Sequence, residues 1–348
     1  MLERVGSHWI HPDRELHSSP SCSIELVYQN DPPAGFAIAD ARERVTMARA
    51  KGDIAVFLRV DYQQGQTLPP TNDEEALLRY IDFSKEIAAD TILGQSAGII
   101  SGNETNLSNE WRVSGIPLTP RWVARVVFGS GTAKTRTDNV YSSVRDVNPN
   151  ILVFSPAVGP FSPESTGELS YTPPDGRDQL TPWETYQYEL AYRSYRNNGH
   201  TPTNDVFLAM HTYSRVGVDG TENGGAFEPQ SDIRENTFGS HWGTQSLDDM
   251  LYAIKKANRN RNPAGIVISE WNSLTDAAPI QNYPKGLEQQ TVSYINGLGV
   301  RVLGFACFVD QDYGGMWVET AMTGYLGTNA PRLFEWDQDH DFILRTGW

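Results

Sequence analysis

The 348-residue chain has a hydrophobic share of 39% and carries 13 Phe, 15 Tyr and 9 Trp, enough for a sizeable core, which excludes general disorder. Its formal charge of −15 argues against nucleic acid, whose phosphates call for clustered Lys and Arg. With no run of 18 apolar residues, no membrane span is expected.

The first residues, Met1-Leu-Glu-Arg-Val5, lack the basic and apolar regions of a signal peptide, so localisation stays open, the extracellular space included. Eight apolar runs bounded by turn residues follow in chain order: Arg4 to Ile10, Ser23 to Tyr28, Ile54 to Val60, Ala97 to Ile100, Ile151 to Phe154, Asp205 to Met210, Gly265 to Ser269 and Val302 to Val309. Helical segments lie between them, among them Ala34 to Ala50 and Leu247 to Asn258, and Pro331 to Leu344 is expected as a closing helix. Thr71 and Thr181 each stand three residues before a Glu, the spacing of a reciprocal helix cap, and Pro182 suits a first helical position. Trp183, Tyr186 and Leu190 then repeat as one core-facing stripe.

Strands alternating with helices predict a (β/α)8 TIM barrel, an α/β fold, filling residues 1–348 as one domain. The link from His11 to Ser21 is short and poor in apolar residues, so the first helix is expected to be minimal or missing. Long polar loops at 61–71, 159–180 and 214–247 fall on one edge, where such loops build sites. Cys22 and Cys307 read as two buried thiols rather than a disulfide. No His spacing has the form of a metal motif, so neither a metal nor a cofactor is expected.

Glu104 and Glu270 each stand at the carboxyl end of an apolar run, the end of a parallel sheet where ligands bind. By the strand count they follow strands four and seven and face each other over the mouth. One carboxylic acid and one carboxylate flanking a sugar linkage are what glycosidic hydrolysis requires.

Asn103-Glu104 after strand four, His211-Thr-Tyr213 after strand six and Ser269-Glu270-Trp271-Asn272 after strand seven resemble glycoside hydrolase clan A. Within it, Gly102-Asn-Glu-Thr-Asn106 and Ile268-Ser-Glu-Trp-Asn272 look most like the branch containing β-xylosidases and α-iduronidases, without assigning a family. The resemblance implies a retaining enzyme acting on a polysaccharide or oligosaccharide, with Glu104 as acid/base and Glu270 as nucleophile. Their carboxyl groups should then stand roughly 5–5.5 Å apart, and Glu104 would need a raised pKa. The alternative is a barrel that binds carbohydrate without cutting it.

The same resemblance makes Asn103 a partner for a sugar 2-hydroxyl, against the plainer reading of a turn residue. Tyr213 would orient Glu270. His211 would contact either glutamate or a sugar hydroxyl, unless it is a core His. Arg59, in an apolar run, is expected to offset a site carboxylate such as Glu270, and Asp61 on the same face to pair with it. The clan more often has its arginine after strand two, whereas Arg59 falls on the third. Trp317 is the best sugar-stacking candidate, followed by Trp271, then Trp111 and Trp242. Glu110, Glu164, Glu222 and Glu319 read as solvated charges. The sequence leaves the oligomeric state open.

Overall fold

The structure is a computed structural model that describes residues 2–8, 21–50, 52–129, 137–160, 182–196, 205–214, 247–273 and 295–307. The expected helix 331–344, the link 11–21 apart from Ser21, and most of the long loops 159–180 and 214–247 lie outside these residues.

The chain runs β1 (Val5–His8), β2 (Cys22–Tyr28), α1 (Ile38–Ala50), β3 (Ala55–Asp61), α2 (Glu74–Ala89), β4 (Gly98–Ser101), α3 (Pro120–Phe128), α4 (Val140–Val147), β5 (Leu152–Ser155), α5 (Pro182–Arg196), β6 (Phe207–Ser214), α6 (Leu247–Ala257), β7 (Gly265–Ser273) and β8 (Val302–Cys307). Every strand pairs in parallel with the next, and β8 pairs back to β1, so the sheet closes into a barrel in sequence order. Each of the eight apolar runs overlaps one strand. Among the described residues no helix is long and apolar enough to cross a membrane.

Strand alternation sorts the apolar residues into two cores. Cys22, Ile24, Phe57, Ile100, Phe154, Phe207, Ala209, Val267 and Leu303 fill the barrel interior, while the intervening Val27, Val56, Leu58, Val60, Leu208, Met210, Ile266 and Ile268 pack outward beneath the helices. The Phe154 ring meets Phe57 edge-on at 5.7 Å and Phe207 at 5.5 Å. Such pairs add about 0.5–1.5 kcal/mol each beyond their buried area. Gly98 makes room for this plug, since a Cβ there would stand 2.5 Å from the Phe154 ring. Cys22 is buried, which pushes its thiol up to about 12; the side chain of Cys307 lies outside the described residues.

Helix α2 corrects one expectation. Its cap is Asp73, whose carboxylate accepts from Ala76 N at 2.9 Å, while the Thr71 hydroxyl donates to Pro117 O at 3.1 Å. Asn72, at φ +69°, turns the chain between the two and leaves Asp73 next to the open amides. Helix α5 does begin at Pro182, with Trp183, Tyr186 and Leu190 buried. Helix α1 starts at Ile38 rather than Ala34 because Gly35, at φ +85°, holds a turn before it.

Strands β6 and β7 run past their apolar stretches. His211 and Tyr213 lie within β6, and Glu270 and Trp271 within β7, instead of in the loops that follow. Backbone pairing continues there, with the polar side chains of His211 and Glu270 at the mouth.

Candidate active site

Glu270 reaches the mouth through a β-bulge. Val267 faces the interior and Ile268 the helices, so strict alternation would send Glu270 outward. The register against β6 runs Met210 to Ile268 and then His211 to Glu270, and against β8 it runs Ile268 to Phe305 and then Trp271 to Cys307. One extra residue on β7 therefore shifts the parity, and Glu270 shares the inward face of His211. The Ser269 carbonyl accepts a 2.5 Å hydrogen bond from His8 Nε2 on β1, and the Ser269 hydroxyl donates to Met210 O at 3.4 Å. His8 is fully buried, and burial first, then the charge of Arg59, holds it well below its ordinary pKa, so it stays neutral. It donates through Nε2 and stands 3.9 Å from Glu270 Oε1. The sequence reading missed His8 because nothing local marks its distant partner.

Glu104 sits on a tight turn after β4. Gly102 has φ +84°, where a Cβ would stand 2.9 Å from Leu68, and Glu104 itself has φ +26°, a strained value for a residue with a side chain. The turn is tied down on several sides. Gly102 N donates to Val60 O at 2.8 Å, and Asn103 N to the Thr67 hydroxyl at 2.5 Å. Asn106 exchanges two bonds with Gly159, at 2.8 and 2.7 Å, and the Thr105 and Tyr186 hydroxyls pair at 3.1 Å while Tyr186 donates to Leu118 O at 2.5 Å. Strain held by this many contacts marks a pre-organised site.

The two acids meet at one imidazole. His211 Nδ1 stands 2.8 Å from Glu104 Oε1 and 3.3 Å from Glu270 Oε2. Ligand atoms of all three lie within 4.8 Å of one another, which includes one oxygen from each carboxylate. A nitrogen and two oxygens so arranged could also hold a divalent transition ion, a trio no linear motif announces because it comes from the turn after β4, from β6 and from β7.

Arg59 lies on β3, as the strand count had it, and reaches Glu270 Oε1 at 3.3 Å and Asp61 Oδ2 at 3.3 Å. Burial pulls its pKa down, yet Asp61 and then Glu270 raise it further, so it stays cationic. Burial raises Asp61, and Arg59 and the Thr67 hydroxyl, 3.1 Å away, oppose that.

Glu110 corrects a second expectation. It is only partly exposed, and desolvation, followed by repulsion from Asp61, lifts its pKa to about 8; Arg59 offsets part of this and Glu104 adds to it. The Asn103 amide Nδ2 donates to Glu110 Oε1 at 3.1 Å. The 3-10 turn Ser108–Glu110 folds the chain back so that this loop acid lands against β3. Thr67 N donating to Glu110 O at 2.8 Å pins that return.

Trp111 packs partly buried against the outer core. Trp317 and Trp242, with Glu164, Glu222 and Glu319, lie outside the described residues, as do the side chains of Tyr213 and Trp271. The backbones of those two are fixed by register, Tyr213 opposite Asn272 and Trp271 opposite Thr212.

No protein-family model matches the chain, and no curated protein does. Solved structures do. An endo-β-1,4-glucanase from Xanthomonas axonopodis pv. citri superposes with a TM-score of 0.51 at 12% identity, over 91% of each chain. A family 39 glycoside hydrolase from Bacteroides cellulosilyticus WH2 superposes with a TM-score of 0.52 at 11% identity, over 91% of this chain and 59% of that one. The chain has the TIM-barrel fold of both. At these identities the likeness concerns the barrel, while the side chains at its mouth carry the chemistry.

Proposed function

We propose that this chain is a retaining glycoside hydrolase that cleaves a polysaccharide or oligosaccharide, with Glu104 as acid/base and Glu270 as nucleophile, residues 1–348 forming one catalytic domain. The observation that carries the reading is the pair of acids, one on the turn after β4 and one on β7, with an oxygen of each within 4.8 Å of the other. Inverting enzymes need roughly 6.5–9.5 Å between their carboxyl groups to admit water, so a close pair favours direct attack.

In the first half-reaction Glu270 attacks the anomeric carbon while Glu104 gives its proton to the departing oxygen, forming a glycosyl ester and a free alcohol. In the second, Glu104 takes a proton from water, the hydroxide attacks the anomeric carbon, and Glu270 leaves as carboxylate. Arg59 offsets the Glu270 charge before attack and after release. His211, between both acids, orients each. The neighbouring structures bear names of glycoside hydrolases, which agrees with this reading.

Turnover of a panel of aryl glycosides tests the assignment. Glu270→Ala should abolish it, and Glu104→Ala should slow poor leaving groups far more than activated ones and be rescued in part by azide. Equal loss on every substrate without rescue would remove Glu104 from the acid/base role. Glycan binding by wild type and Glu270→Ala without turnover by either would favour a binding barrel.

A further inference from the structure

The acids around Arg59 outnumber its charge. The guanidinium is already shared by Asp61 and Glu270, each at 3.3 Å. Glu110 lies beside this group and makes no ion pair among the described residues; its hydrogen-bond partner is Asn103 Nδ2 at 3.1 Å. The other end of that amide is the informative atom: Asn103 Oδ1 is buried and finds no donor. An ionised carboxylate could only accept from Asn103 and would leave Oδ1 bare. A carboxylic acid offers one acceptor and one O–H, which matches both ends of a primary amide.

We propose that Glu110 is a positioning residue that acts in its uncharged form, pairing both ends of the Asn103 amide and so fixing the turn that carries Glu104. The inference rests on the proposed function above. Asn103 directly precedes Glu104, and its backbone N–H is tied through Thr67 to Asp61. Glu110 is, among the described residues, the one hydrogen-bond partner of the Asn103 side chain. Among the described residues, the charged and titratable groups facing Glu110 are Asp61 and Arg59 from β3, Glu104 from its own loop and Tyr28 from β2. Desolvation and the two neighbouring acids favour the protonated form, while Arg59 and the hydrogen bond donated by Asn103 oppose it. Ionisation at alkaline pH would remove the donor and bring another negative charge beside Asp61.

The test compares wild type, Glu110→Gln and Glu110→Ala. A carboxyl whose folded pKa lies above its unfolded value costs stability as pH rises between the two, here from about 4.5 to about 8. The thermal midpoint of wild type should therefore drop relative to Glu110→Gln between pH 5 and pH 9. A constant difference would mean that Glu110 is charged throughout and would overturn the proposal. On an aryl glycoside at pH 6, Glu110→Ala should lose about tenfold or more in kcat with little change in KM, and Glu110→Gln should restore most of it. Full activity of Glu110→Ala, or equal loss in both variants, would also overturn it. Glu270→Ala measured alongside separates the two ideas: if it retains turnover, the nucleophile assignment fails, while the midpoint comparison still decides the state of Glu110.

Discussion

His8 on β1 donates from Nε2 to the carbonyl of Ser269 at 2.5 Å, reaching over β8 to hold the bulged residue of β7. That bond fixes the irregularity that turns Glu270 toward the mouth. His8→Leu leaves the buried carbonyl without this donor, at a cost of about 1–3 kcal/mol, and kcat should fall more than KM rises. Urea unfolding and initial rates check both. Because burial depresses the pKa of His8, the unfolded chain binds its proton first as pH drops. Stability tied to His8 is complete above about pH 6.5 and declines below it, and His8→Gln should flatten that decline.

Arg59 faces two carboxylates at once. Arg59→Met should cost about 3–5 kcal/mol in stability, because it strands buried charges. Arg59→Lys keeps the charge without the fork that spans both partners and should recover stability better than activity. A denaturation series on the two variants measures the difference.

Gly102 combines φ +84° with a Cβ position 2.9 Å from Leu68. Gly102→Ala should destabilise the protein by about 1–3 kcal/mol and lower kcat, since the turn that shifts also carries Glu104. Thermal melting with parallel kinetics tests this; an unchanged kcat would show that the turn does not set the position of the acid.

The Glu104, His211 and Glu270 atoms within 4.8 Å of one another are suited to capturing Zn²⁺. Added Zn²⁺ should inhibit reversibly, EDTA should restore activity, and His211→Ala should weaken the inhibition about tenfold or more. Activity lost on EDTA treatment alone would instead point to a metal-assisted reaction.

Much of the barrel is legible in the chain because buried parallel strands write themselves as β-branched runs, and Glu104 and Glu270 stand out as charges ending such runs. Arg59 could be tied to a carboxylate because a cation in an apolar run needs one. What stays hidden is long-range. The Ser269 bulge changes no composition, the partner of His8 lies 261 residues away, and Glu110 sits in a polar loop whose fold-back depends on Thr67 and Asn103. The Thr71 spacing misled because Asp73, two residues nearer the helix, competes better for the same amides.

The most direct test is to trap the ester. A 2-deoxy-2-fluoro glycoside with an activated leaving group should add one sugar mass to the intact protein, and peptide mapping should find it on Glu270. A label on any other residue, or turnover releasing the opposite anomer with no adduct, would contradict the account.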